Sequence, residues 1–190
     1  KNIILELGKS NLYKLELFLC GSHFTKYFGK TIGDFNIFKN LKIHTSKIIQ
    51  FNDSNKYNEN ILFKNQTDFF NILKKNKPNL VFIPGDRLEM LAFSYCCHFL
   101  DIKICHIHGG ELTFGSKDDS TRHAITKLSH LHLVSNNIYR KRVIRLGEKP
   151  NSVFTIGSPS LNKIQKYIFK TKTEIQKKFN FNFFEKNILV

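Results

Sequence analysis

The chain has 190 residues, 41% of them hydrophobic, and a net charge of +15 from 30 Lys and Arg against 15 Asp and Glu. That length suits one ordinary domain with a real core, and no apolar run approaches the ~18–20 residues that span a bilayer. The basic residues are mostly Lys, spread among Asn, Ile and Phe without an RNA- or DNA-binding signature. Their spread argues against a nucleic-acid partner, and their charge favours an anionic substrate such as a nucleotide sugar; with no spanning run, no membrane partner is expected.

The apolar spacing of Ile3, Ile4 and Leu7 predicts the end of a helix within Lys1–Ser10. Leu15, Leu17 and Leu19 alternate as in a strand, which ends at Cys20-Gly21-Ser22-His23. Tyr27–Phe38 reads as a short helix after a loop, and Ile43–Phe51 as another strand. The polar run Asn52–Asn60 reads as a loop or lid. Ile61–Lys75 is expected to be helical, closed by Lys77-Pro78. Leu80–Ile83 is a buried strand with Pro84-Gly85-Asp86 as its turn, followed by an apolar helix over Leu88–Leu100. Ile102–Ile107 is the next strand and Gly109–Lys117 a loop. Asp118 or Asp119 is then expected to cap a helix running to Ser129. Leu131–Val134 is a strand, Ile138–Leu146 a helix stopped by Gly147, and Val153–Ile156 a strand. Pro159–Phe179 reads as mostly helical and Asn187–Val190 as the start of a strand. Strand alternating with helix predicts an α/β fold built on a parallel sheet.

Cys20, Cys96, Cys97 and Cys105 form neither a CxxC pair nor a disulfide-rich spacing, so they are expected to be small buried thiols in a reducing cytoplasm.

Loops at the carboxyl ends of parallel strands are where open α/β sheets bind ligands. Here those loops carry Asp86, Glu111, Asp118 and Asp119 beside Arg87 and Arg122, a gathering that suits proton transfer on a polar substrate. Asp86 follows its strand directly; it is either a helix cap or a group projecting over the sheet edge. His106 and His108 share a strand face and could chelate zinc, although hydrogen bonding within the sheet and at its edge is the simpler account. Gly109 and Gly110 allow backbone to approach a ligand, with Glu111 beside them as a candidate acid or base. Asp119 and Arg122 are three apart and share a helix face; neighbouring carboxylates raise one another's proton affinity. His130 and His132 read as structural. Gly157-Ser158-Pro159 ends a strand before a helix and can offer N–H groups, Ser158 among them, to a phosphate.

The strings GDRLE, HIHGGELTFG, DDSTRHAITKLSHLH, KRVIRLGE and GSPSLN, in that order between about Cys20 and Asn162, resemble the hydrolysing UDP-N-acetylglucosamine 2-epimerase family. The closest likeness is to its branch supplying sialic, legionaminic and related acids. The resemblance implies a Rossmann-like parallel sheet forming the N-terminal half of a glycosyltransferase-B-type two-domain fold, and a homodimer in the complete enzyme. It implies that a base removes the proton at carbon 2 of a UDP-2-acetamido sugar, UDP leaves to give a glycal, and water adds with inversion at carbon 2. No metal or redox cofactor is implied. Asp86, Glu111 and Asp119 resemble the family's essential carboxylates, with Asp118 a second candidate in the same loop. Arg122 matches a position that orients the site or pairs with substrate charge, and His23 resembles a TGxH segment near the nucleotide sugar.

Two departures from the family pattern bear on completeness. A first strand with its Gly-Thr-Arg loop, and a second domain, are not matched. The resulting expectation is an incomplete domain over 1–165, then a linker helix over 166–190 leading into a further domain, and no turnover by the chain alone. A catalytically dead binding remnant or split subunit, a non-hydrolysing epimerase and a metal hydrolase on His106 and His108 stand as the alternatives.

Overall fold

The computed structural model describes residues 2–24, 31–38, 40–46, 59–159, 161, 170–180, 182 and 184. The chain divides into two compact units, Lys1–Ser158 and Pro159–Val190.

The first unit alternates strand and helix, as the apolar pattern predicts. Its elements are α1 (Asn2–Gly8), β1 (Glu16–Leu19), β2 (Lys42–Thr45), α2 (Glu59–Asn76), β3 (Leu80–Pro84), α3 (Leu88–Phe99), β4 (Lys103–Ile107), α4 (Asp118–Leu128), β5 (Leu131–Val134), α5 (Asn137–Arg145) and β6 (Val153–Thr155). Two 3-10 segments, Gly21–Phe24 and Thr31–Phe38, lie between β1 and β2. The described part of the second unit contains α6 (Lys172–Phe179), whose Thr171 and Glu174 form a capping box.

All pairings are parallel. One sheet runs β3-β4-β5-β6 and a separate one pairs β1 with β2. Among the described residues β4 is the only five-residue strand flanked on both sides, and its last four residues are all buried, as an apolar strand covered on both faces should be. β3 is an edge of its sheet. Pro84 fits there because its ring nitrogen has no hydrogen to contribute to a ladder.

β1 and β3 are not paired with each other, yet both sheets feed one core. Phe18 of β1 stacks on Phe93 of α3 (5.0 Å) and meets Phe69 of α2 edge-on (5.4 Å), while Phe69 and Phe93 meet edge-on at 4.9 Å. Cys20 joins Ile83, Cys96, Cys97 and Ile104 in the same cluster. Each ring pair adds about 0.5–1.5 kcal/mol beyond its buried area, so the α2–α3 layer binds β1 without a ladder to β3. All four thiols are buried and free. Burial pushes Cys20 and Cys97 up to about 12, and Cys96 and Cys105 up to about 11.

Several boundaries differ from the sequence reading. Glu59 and Asn60, expected in a polar loop, begin α2. The strand expected from Ile43 starts at Lys42, where Lys42 sits opposite Glu16 and can reach it. Asp118 and Asp119 do not cap α4: the cap position is Lys117, without a side-chain cap, and both acids lie in the first turn. There they still favour the helix through its N-terminal dipole. The helix expected over Pro159–Phe179 is described only at Lys172–Phe179. The strand expected at 187–190, and most of the polar run before α2, lie outside the described residues.

Candidate active site

The carboxyl ends of β3, β4 and β5 lie side by side because these strands are parallel neighbours in register. The turn after β3 begins with Gly85, whose φ of +77° is readily adopted only by glycine. Its N–H donates to the Ile107 carbonyl at 2.9 Å. Its own carbonyl accepts from Nε2 of His106 at 2.8 Å, and Nδ1 of that ring lies 3.1 Å from the Thr126 hydroxyl. A carbonyl only accepts, so Nε2 carries the ring proton; the Thr126 hydroxyl beside Nδ1 donates to the Arg122 carbonyl at 3.0 Å. Burial pushes His106 down to about 4, the bond to Gly85 acting the other way, so the ring is neutral near pH 7. His106 thus holds the turn that presents Asp86.

Arg122, buried at 6% exposure on α4, donates from Nη2 to Asp86 and to the Thr113 hydroxyl (3.2 Å). Its Nε and Nη1 are buried and make no hydrogen bond. Asp119, on the same helix, accepts the Thr113 N–H at 3.1 Å and lies 3.7 Å from Nε2 of His123. Arg122 and Asp119 therefore converge on Thr113, and Asp86 joins them through Arg122. Asp118 is exposed, with no side-chain partner among the described residues.

Glu111 occupies a second cluster. Its Oε1 is 2.9 Å from Nδ1 of His108 and accepts from the Ser135 hydroxyl at 2.9 Å. His108 has φ +70°, the left-handed region that costs a side-chain-bearing residue about 1–2 kcal/mol.

The two glycines between these groups answer to packing. A Cβ on Gly110 would lie 2.6 Å from the Tyr139 carbonyl oxygen and 2.8 Å from Val143. One on Gly109 would lie 3.2 Å from both His106 and Thr126. The loop backbone fits tightly against α5 and β4, and Arg142 secures the Gly110 carbonyl.

His23 and Arg87 form a third group at the end of β1. Arg87 donates from Nε to buried Glu89 at 2.6 Å, and the Glu89 carboxylate lies over Gly21. His23 bonds Thr31 at 2.8 Å; burial and then the Arg87 charge push it below its ordinary value. Ser158 follows Gly157 (φ +76°) after β6 and is half-buried. The helix expected immediately after it lies outside the described residues.

The two histidines considered as a zinc pair are engaged within the protein, His106 by both nitrogens and His108 by Nδ1. No group of three potential ligands stands together among the described residues. The other histidine of a repeated pattern, His132, is buried against Glu148 (3.2 Å), which also binds Lys127 at 2.6 Å. Sequence reasoning did not find Glu89, Thr113, His123 or Ser135. Ser135 had a signal in its place directly after β5; Thr113 had none, because its partners Asp119 and Arg122 lie further along the chain, in α4.

The family model described as UDP-N-acetylglucosamine 2-epimerase matches residues 5–190. A GDP/UDP-N,N'-diacetylbacillosamine 2-epimerase (hydrolyzing) of Campylobacter jejuni is 36% identical over 181 residues, which are 93% of this chain and 46% of that protein. A UDP-N,N'-diacetylbacillosamine 2-epimerase (hydrolyzing) of Legionella pneumophila is 30% identical over 96% of this chain and 48% of its own length. The chain thus spans about half the length of these curated relatives. Among solved structures, the Neisseria meningitidis UDP-GlcNAc 2-epimerase bound to UDP-GlcNAc superposes with a TM-score of 0.71 at 18% identity, over 94% of this chain and 46% of that one. A further UDP-N-acetylglucosamine 2-epimerase structure gives 0.73 at 17% identity, over 92% and 49%. The α/β Rossmann-like architecture is that of these enzymes, and the chain belongs to the UDP-N-acetylglucosamine 2-epimerase family.

Proposed function

We propose that the chain supplies the sheet-edge half of a hydrolysing 2-epimerase acting on a UDP-2-acetamido sugar, releasing UDP and the free manno-configured amino sugar. The observation that carries this reading is Arg122. A buried guanidinium gripping Asp86 by one nitrogen, with Nε and Nη1 unpartnered, has donors waiting for ligand oxygens. A sugar-nucleotide carbonyl or phosphate oxygen completes it and sets the sugar beside Asp86, Glu111 and Asp119. His23, Arg87 and the Ser158 turn lie at the carboxyl ends of β1, β3 and β6, where they suit the nucleotide side of the ligand. The names of the Campylobacter and Legionella relatives favour a UDP-2,4-diacetamido-6-deoxy sugar over UDP-N-acetylglucosamine as substrate.

Inversion at carbon 2 through a glycal needs proton removal from one face and proton delivery to the other. Two separately anchored clusters, Asp86–Arg122–Asp119 and His108–Glu111–Ser135, suit that division. The test is to offer both UDP-sugars to the native gene product and follow UDP and sugar by NMR. UDP with a free 2-epimeric sugar is expected, and Arg122→Lys should weaken binding. An epimerised UDP-sugar without UDP release would assign the non-hydrolysing reaction. No binding and no product with either sugar would sink the proposal.

A second reading concerns the chain in isolation, and the edges of β1 and β3 that have no ladder partner among the described residues favour it. They share the α2–α3 layer but no ladder. A further parallel strand from the rest of the protein would satisfy those edges, where each buried unpaired group costs ~1–3 kcal/mol. On this reading residues 166–190 lead into a second domain, the complete enzyme is a cytoplasmic homodimer, and the isolated chain binds UDP-sugar weakly without turning it over.

A further inference from the structure

We infer that His108 carries the proton at the Glu111 cluster, and that Glu111 is its positioning residue. The inference rests on the proposed epimerase chemistry for its substrate, but on the structure for its geometry.

A carboxylate oxygen accepts hydrogen bonds and cannot donate them when ionised. The 2.9 Å contact between Glu111 Oε1 and His108 Nδ1 therefore requires the ring proton on Nδ1. The neutral ring then has its lone pair on Nε2, which makes no hydrogen bond among the described residues. Ser135, from the end of the next strand, donates to the same Glu111 oxygen and fixes the carboxylate. The result is a base and an orienting acid from the loop after β4, and a hydroxyl from the end of β5 that holds the acid. That is the arrangement by which an imidazole is kept in one tautomer for proton transfer.

The backbone supports the assignment. His108 is held at φ +70° by its N–H bond to the Leu133 carbonyl (3.0 Å) and by the tight seat of Gly109 and Gly110. An extended residue here would continue β4 and point along the sheet. The left-handed turn instead sets the ring at the loop, still half-exposed, beside Glu111. Strain retained at a half-exposed polar side chain is a pointer to use.

In the elimination step Nε2 takes the carbon-2 proton. The C–H electron pair becomes the C1–C2 π bond, the C1–O bond breaks, and its electrons leave with the diphosphate of UDP. The imidazolium formed is stabilised by Glu111. On hydration, water's oxygen bonds to C1 and its proton passes to solvent, C2 takes a proton on the opposite face from a carboxyl of the Asp86–Asp119 cluster that solvent has protonated, and the His108 imidazolium returns its proton to solvent.

Two substitutions in the native gene product test this. His108→Asn keeps an N–H for Glu111 and a side chain that tolerates positive φ, but cannot take a proton. It should lower UDP release at least ~100-fold with KM unchanged, the range for a lost acid–base group, and abolish deuterium uptake at carbon 2 in D2O. Glu111→Gln should slow turnover and move part of the His108 ring proton to Nε2, read by nitrogen-15 NMR. Near-parental turnover in His108→Asn with an inactive Glu111→Gln would give the proton to Glu111 and overturn the assignment. The tautomer needs no substrate: an Nε2–H ring in the parent overturns the dyad, and an Nδ1–H ring upholds it, whether or not UDP is released. Failure of the parent to release UDP would count against the proposed function alone.

Discussion

The segment from β3 to β5 and the segment from α1 to β2 both alternate strand with helix or turn, but they are secured differently. In the first, each strand has a parallel neighbour, helices cover the sheet, and the loops are tied down by Arg122, Asp119, His106 and Ser135. In the second, two short strands pair only with each other among the described residues, β2 is largely exposed, and Leu12 (84%) and Tyr13 (63%) face solvent. Its attachment runs through Phe18 and Cys20 in the core and through Lys42–Asn76 and Ser46–Asp68 hydrogen bonds to α2. The difference teaches that a site needs more than strands: the carboxylates sit where loops are bonded back to the sheet and α4.

The comparison breaks most directly at Phe93. Phe93→Ala should cost about 3–5 kcal/mol, a large part of a typical ~5–15, because it removes the face on which β1 stacks. Ile43→Ala, on exposed β2, should cost under ~1 kcal/mol. Urea unfolding of the two variants checks both; equal losses would mean the segments are equally secured.

Gly110→Ala should be nearly as costly, about 2–4 kcal/mol, since it adds a forbidden φ to a collision with α5 backbone. Gly115→Ala meets open space at a similar φ and should cost only about 1 kcal/mol. Thermal melts of the pair separate packing from backbone strain.

A pH titration sharpens the contrast further. The unfolded chain protonates His106 near 6.5, whereas the folded chain resists protonation until about 4. Stability from this site is complete above pH 6.5 and is lost as pH falls toward 4, by up to about 3 kcal/mol. His132, also pushed down by burial, acts in the same direction. His106→Asn should flatten the acid limb of the stability curve without removing it. An unchanged limb would place the acid sensitivity elsewhere.

The smallest expected effect separates two neighbours. Asp118→Asn should change stability by under ~0.5 kcal/mol and leave the Thr113 amide untouched. Asp119→Asn should weaken that amide's protection from hydrogen exchange. Equal effects would remove the reason for preferring Asp119.

The strands and helices of the first unit were readable because their apolar residues keep a local period. Boundaries failed where a distant partner decides them, as at Lys42, drawn into β2 opposite Glu16. The carboxylates Asp86, Glu111 and Asp119 were legible because each follows a strand or opens a helix in a parallel sheet. Their supports were not. Thr113 becomes relevant only when α4 is laid beside the loop, and nothing local to it says so; Ser135 had only its place directly after β5. Gly109 and Gly110 were read as room for a ligand, but the space beside them is taken up by Thr126, Tyr139 and Val143.

Arg122 and Thr126 lie one turn apart on α4, and through Asp86 and His106 they hold opposite sides of the same β3 turn. The helix therefore works like a key with two teeth in one lock. A slide along its axis by a single residue, about 1.5 Å, would disengage both teeth and free Thr113 at the same moment. The site has no half-assembled setting along that direction: α4 is either in register and every group is aimed, or out of register and none is.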